Sequence, residues 1–163
     1  MRTQRVVGGP GLIFAPFVLS FFFLFFAVHT AIADAPAALE ARGGWIRLPP
    51  PGANAAGYLT LVNAADTSRR IVGVASDVAP RTELHRSWVE DGVAHMRRVE
   101  TIEVPARGEV ELAPKGLHVM LIRPVGLTEG EHVEIRFDVE GQGALVVSLP
   151  IMRGAPGDAQ TGH

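Results

Sequence analysis

An all-β sandwich or barrel of eight to nine short strands is the fold that this sequence predicts. Three observations predict it. Strand-like runs recur at spacings of roughly 8–12 residues, with turn residues between them. No stretch beyond the leader keeps the 3.6-residue period of an amphipathic helix. Asp91-Gly92 separates two such runs, and Asp-Gly suits a tight hairpin turn with φ > 0 at both central positions.

The elements follow in order. Ala35 to Gly43 is a short, Ala-rich leading segment, and Trp45 to Leu48 is a first strand stopped by Pro49-Pro50-Pro51-Gly52. Ala56 to Val62 is a second strand, with Tyr58, Thr60 and Val62 on one face and Gly57, Leu59 and Leu61 on the other. Such alternation follows from the two-residue side-chain period of a strand. Asn63 to Ser68 is turn chemistry, and Arg70 to Ala75 is a third strand. Arg81 to Glu90 and Val93 to Val99 form the Asp-Gly hairpin. Ile102 to Pro105 follows, then Ala106-Arg107-Gly108 as a turn and Val110 to Leu112 as a short strand. Pro114-Lys115-Gly116 turns the chain into the strand Gly116 to Leu121. His132 to Glu140 alternates, with Val133, Ile135, Phe137 and Val139 opposed to His132, Glu134, Arg136 and Asp138. Ala144 to Met152 is the last strand, and residues 153–163 read as a disordered tail.

Residues 1–33 read as a secretory signal peptide. Arg2 and Arg5 precede an uncharged apolar run from Gly11 to Val28, and Ala31-Ile32-Ala33 is a small-x-small cleavage pattern. The run is longer than the usual ~7–15 residues, so a retained membrane anchor is the alternative. Residues 34–152 then form one domain of ordinary core size. Seven of the eight Phe lie in the leader, so whole-chain hydrophobicity overstates that of the domain. Loss of Arg2 and Arg5 takes the formal charge from −2 to −4, and no basic run is present. Nucleic-acid binding is therefore not expected, nor any membrane contact beyond the leader.

The chain has no cysteine. That excludes thiol–disulfide exchange, cysteine nucleophiles and thiolate-held zinc or copper. Any metal must be held by His, Met or carboxylate.

His118 and Met120 stand two apart in one strand and so project from the same face. In the Asp91-Gly92 hairpin, Ser87 pairs with Met96 and His85 with Arg98, which puts Met96 on the face of His85 and diagonal to it. Diagonal neighbours lie ~7–8 Å apart, within reach of long side chains. If the two His–Met pairs meet across one end of the sandwich, they make a two-His, two-Met site. Thioether sulfur is soft and neutral and suits Cu(I). With four neutral donors and no thiolate, such a site is expected to pass its ion on. Glu83 shares the face of His85, either as an orienting partner for the imidazole or as a solvated carboxylate. His95 and His132 are expected at the surface, and Trp88 in the core.

The spacing His85-x10-Met96-x21-His118-x-Met120 resembles the signature of the periplasmic copper chaperones of the PCuAC family. Glu83-Leu84-His85, Asp91-Gly92-Val93, Met96-Arg97-Arg98-Val99, Val104-Pro105-Ala106 and Leu127-x-Glu129-Gly130 agree with the family pattern as well. The resemblance runs from about Trp45 to Ile151. It implies a cupredoxin-like, Greek-key β-sandwich that binds one Cu(I) per chain through His85, Met96, His118 and Met120. It further implies a periplasmic monomer, not an enzyme, that delivers copper to the CuA centre of cytochrome c oxidase subunit II, alone or alongside a Sco-type protein. Lys115 stands where the family often has Gly, and Ser87 where many members have Met. The rival expectation is an exported β-sandwich interaction module with no physiological metal. A copper enzyme is a weaker rival, because neither further ligands nor a substrate cleft can be read from the sequence.

Overall fold

A computed structural model describes residues 39–156. The expected signal peptide and cleavage site, and residues 157–163 of the expected tail, lie outside the described residues. Ten strands make up the described chain, and no helix occurs among the described residues. They are β1 (Leu39–Arg47), β2 (Ala55–Asn63), β3 (Arg69–Ala75), β4 (Arg81–Glu90), β5 (Val93–Val99), β6 (Ile102–Val104), β7 (Gly108–Leu112), β8 (Leu117–Ile122), β9 (His132–Val139) and β10 (Gly143–Met152).

The all-β prediction stands, with ten strands in place of eight or nine. The added one is β6, to which the sequence assigns no element. It is only three residues long, and it pairs with β3 through Arg69↔Val104 and Ile71↔Ile102. β1 also begins earlier than expected. A register shift lies between Arg42 and Trp45, where Gly43 and Gly44 both have positive φ. These glycines carry the strand through a bulge. At Gly44, with φ +109°, a Cβ would lie 2.6 Å from the carbonyl oxygen of Tyr58, so no larger residue fits.

The strands form one mixed sheet in the order β5-β4-β8-β7-β2-β1-β10-β9-β3-β6, with β8 also paired to β2. β7 and β8 lie end to end along β2. Leu59 to Asn63 pairs with β7, and Ala55 to Gly57 with β8. The two halves join where β1 runs parallel to β10, at Ile46↔Ile151 and Arg47↔Met152. Inward residues of both halves make one core, among them Leu59, Leu61, Leu84, Val119 and Leu121 from one half and Ile71, Val133, Ile135 and Phe137 from the other. β9 alternates buried and exposed at every position, as its sequence requires.

Asn63 ties the halves together at the far end. It is 1% exposed. Its Nδ2 donates to the carbonyls of Thr67 (2.8 Å), Pro105 (3.0 Å) and Val104 (3.2 Å), and its Oδ1 accepts from the amide of Ala65 (3.1 Å). Asn63→Ala would strand several buried backbone groups, each costing about 1–3 kcal/mol when unsatisfied. A loss of about 2–3 kcal/mol in urea unfolding is expected. A variant within about 0.5 kcal/mol of the parent would show that water replaces these bonds at no cost.

Candidate metal centre

β4, β5 and β8 build the candidate site. Alternation sends Leu84, Val119 and Leu121 into the core. The residues between them, Glu83, His85, His118 and Met120, therefore take the outer face of this layer. The Asp91-Gly92 turn has φ of 50° and 78°. It sets the hairpin register at Ser87↔Met96 and His85↔Arg98, as the sequence predicts.

The pairing of β4 with β8 then places His85 opposite His118 and Glu83 opposite Met120. The two imidazole centroids are 5.9 Å apart, with ring planes at 52°. Met96 and Met120 each occupy a position diagonal to His85, on either side of it. All four predicted residues thus share one face. They do so as neighbours on three adjacent strands, not across an end of the sandwich as the sequence reading supposed. The reason is that β4 uses both edges: β5 pairs along one and β8 along the other.

Burial grades across the site. His118 is 4% exposed, whereas Met96, on the edge strand β5, is 53% exposed. His85 and Met120 are half-buried. Tyr58 packs 6.4 Å from His118, ring centroid to centroid, and Trp45 packs 5.0 Å from Tyr58. Tyr58 thus walls His118 on one side, and Trp45 backs Tyr58. Sequence reasoning did not find this wall. Tyr58 was legible as one face of β2, but not as a neighbour of His118.

Each imidazole has one nitrogen engaged and one left over. His118 Nδ1 donates to the carbonyl of Gly116 at 3.0 Å, leaving Nε2 with its lone pair. His85 Nε2 donates to Glu83 Oε2 at 2.8 Å, and its Nδ1 is buried without a hydrogen-bond partner. A buried, unpartnered imidazole nitrogen on the face that carries two thioethers fits a metal donor. Burial holds the His118 pKa below the ordinary imidazole range; the positive charge that His85 can carry adds to this, and the Gly116 hydrogen bond opposes it. The ring is therefore neutral near pH 7, the form that binds metal. The hydrogen bond from His85 lowers the Glu83 pKa; burial opposes it, and the charges of Arg81 and Arg98 add smaller lowering effects.

Two expectations for neighbouring residues are corrected. Trp88 is not core. It is half-buried at the surface, stacked on His95 at 5.2 Å, with Arg97 over its ring at 5.6 Å. The hairpin projects past the core, so even its inner-parity residues meet solvent. His95 is accordingly half-buried under Trp88 and not free at the surface, whereas His132 is exposed as expected. Lys115, just before β8, has φ of 67°, a left-handed backbone that glycine adopts without strain.

Fold and face together define a class: a β-sandwich domain that presents neutral nitrogen and sulfur donors on one layer. Residues 39–151 match the LpqE-like lipoprotein family, and the chain belongs to that family, which is of PCuAC type. The solution structure of CuI-DR1885 from Deinococcus radiodurans is similar at 28% identity and a TM-score of 0.61, covering 80% of this chain and 89% of that one. The apo-DR1885 structure is 28% identical with a TM-score of 0.57, covering 94% and 97%. The copper-bound PCuAC domain from PmoF2 shares the fold at 24% identity and a TM-score of 0.61, covering 74% and 97%. A curated relative, the uncharacterised protein RP573 of Rickettsia prowazekii, is 28% identical over 105 residues, which is 63% of this chain. The chain spans 58% of the length of that relative.

Proposed function

We propose that this protein is an exported copper chaperone. It binds one Cu(I) through His85, Met96, His118 and Met120 and delivers it to an acceptor protein. The observation that carries this reading is His85 facing His118, with a thioether at each diagonal and one His85 ring nitrogen buried without a hydrogen-bond partner. The copper-bound state of its relatives supports the choice of metal, and so does the softness of thioether sulfur. Membership of a family of lipoproteins and the leader of residues 1–33 support export, with the periplasm as the compartment.

The copper is cargo. Four neutral ligands hold it without a thiolate, and Met96 lies at an open edge beside an apolar hollow of about 220 Å³ that Trp88, Val89 and Lys115 help to line. An incoming ligand can approach there and displace the exposed thioether first. The CuA centre of cytochrome c oxidase subunit II is the acceptor we propose, reached directly or with a Sco-type protein. The donor acts as a monomer and catalyses no reaction of its own.

Anaerobic Cu(I) titration against a colorimetric competitor tests the site. The parent should bind one equivalent, and alanine variants of the four residues should bind more weakly. If Met120→Ala and His118→Ala both match the parent, the assignment fails. Acidity supplies a second check, because protons compete with metal for imidazole lone pairs. Burial holds the His118 proton affinity low, so its competition sets in only below about pH 6.5, the ordinary imidazole value. Affinity should be level from about pH 8 to 7 and fall below about pH 6. An affinity that stays flat to about pH 4.5 would count against imidazole ligation.

A further inference from the structure

We infer that Glu83 is a positioning residue that selects which nitrogen of His85 faces the copper. This rests on the copper reading above and deepens it. The Glu83 carboxylate is held at both oxygens. Oε2 accepts the His85 Nε2–H at 2.8 Å, while Oε1 lies 3.2 Å from Arg81 Nε and 3.9 Å from Arg98 Nη1. Arg81 precedes Glu83 by two residues on the same face of β4, and Arg98 sits across from His85 on β5. The two guanidinium groups approach the carboxylate from different strands and favour its charged form.

This arrangement admits one neutral tautomer of His85. With the proton on Nε2, the ring donates to a carboxylate and Nδ1 keeps its lone pair. With the proton on Nδ1, the Nε2 lone pair would face a carboxylate oxygen at 2.8 Å, and a buried N–H would have no acceptor. Both contacts are unfavourable. His85 therefore offers Nδ1, whereas His118, with its Nδ1–H on the Gly116 carbonyl, offers Nε2. The facing imidazoles bind through different nitrogens. Glu83 acts through His85, since its Oε2 accepts the imidazole N–H.

Nitrogen-15 long-range NMR of the copper-free protein near pH 8, read with Cu(I) competition titration, tests this. In the parent, His85 should be the Nε2–H tautomer. In Glu83→Ala the ring should lose that preference, and Cu(I) affinity should fall about 10- to 100-fold, the usual cost of losing a ligand's hydrogen-bond partner. Glu83→Gln, whose amide oxygen can still accept the Nε2–H, should keep the tautomer and lose less than about tenfold. A parent in the Nδ1–H form overturns the inference. So does a Glu83→Ala protein that binds as tightly as the parent or more tightly, because the carboxylate would then be competing for the nitrogen that copper needs. If Glu83→Ala does not fold, the parent tautomer and the Gln variant decide the matter. A parent that takes up no Cu(I) overturns the copper reading and this inference with it, which no result on Glu83 variants alone can do.

Discussion

His118→Ala is expected to abolish useful Cu(I) binding, the largest functional effect of any single substitution in the chain. His118 is the most buried of the four candidate donors at 4% exposure, is walled by Tyr58, and faces His85 directly. Its removal deletes a donor and opens the inner side of the site to water. The loss should exceed the ~10- to 100-fold attached to an outer hydrogen-bond partner. Thermal melting gives an independent readout. Ligand at about 100 times its Kd stabilises a fold by about 2.7 kcal/mol, so Cu(I) should raise the parent Tm and leave that of the variant unmoved. The copper-free melt of His118→Ala separates a lost ligand from a lost fold. Met96→Ala should cost less than His118→Ala, because a half-exposed thioether on an edge strand is readily replaced by water or exogenous ligand. A full Cu(I)-induced shift in His118→Ala would remove the imidazole from the site.

Phe137→Ala is expected to have the largest effect on stability. Phe137 is the only Phe beyond the leader and is fully buried. It lies in the second half of β9, across from Val74 on β3 and Leu145 on β10. Truncating a buried Phe costs about 3–5 kcal/mol in lost burial and residual cavity. For a domain of this size that is roughly 10–20 °C in Tm. Phe137 belongs to the β10-β9-β3-β6 half, away from β4, β5 and β8. The folded fraction should therefore bind Cu(I) with the parent's affinity. A Tm loss under about 3 °C would mean that the core closes around the gap.

Much of the fold was legible because strand chemistry is local. The boundaries of β4 and β5 were read from sequence as the structure has them, since Asp-Gly names its own turn and the turn sets the register. β9 was legible from strict alternation. β6 was not, because three residues carry no period; pairing with β3 makes them a strand. The start of β1 was hidden by Gly43 and Gly44, which read as a break and serve as a bulge within a continuing strand. Trp88 misled because alternation assigns a face but does not say whether anything packs against it.

The candidate site divides along the same line. By itself the sequence determined the donor types, the shared face of His118 and Met120, and the diagonal of His85 to Met96, because each follows from a two-residue period or a two-residue turn. Only the tertiary structure decided that His85 pairs with His118, that Tyr58 packs against His118, and that Glu83 and Gly116 each take one imidazole N–H. The β4–β8 register joins segments more than thirty residues apart in sequence. It is set by where Leu84, Val119 and Leu121 find room in a shared core, a condition on the whole sandwich that no local stretch contains.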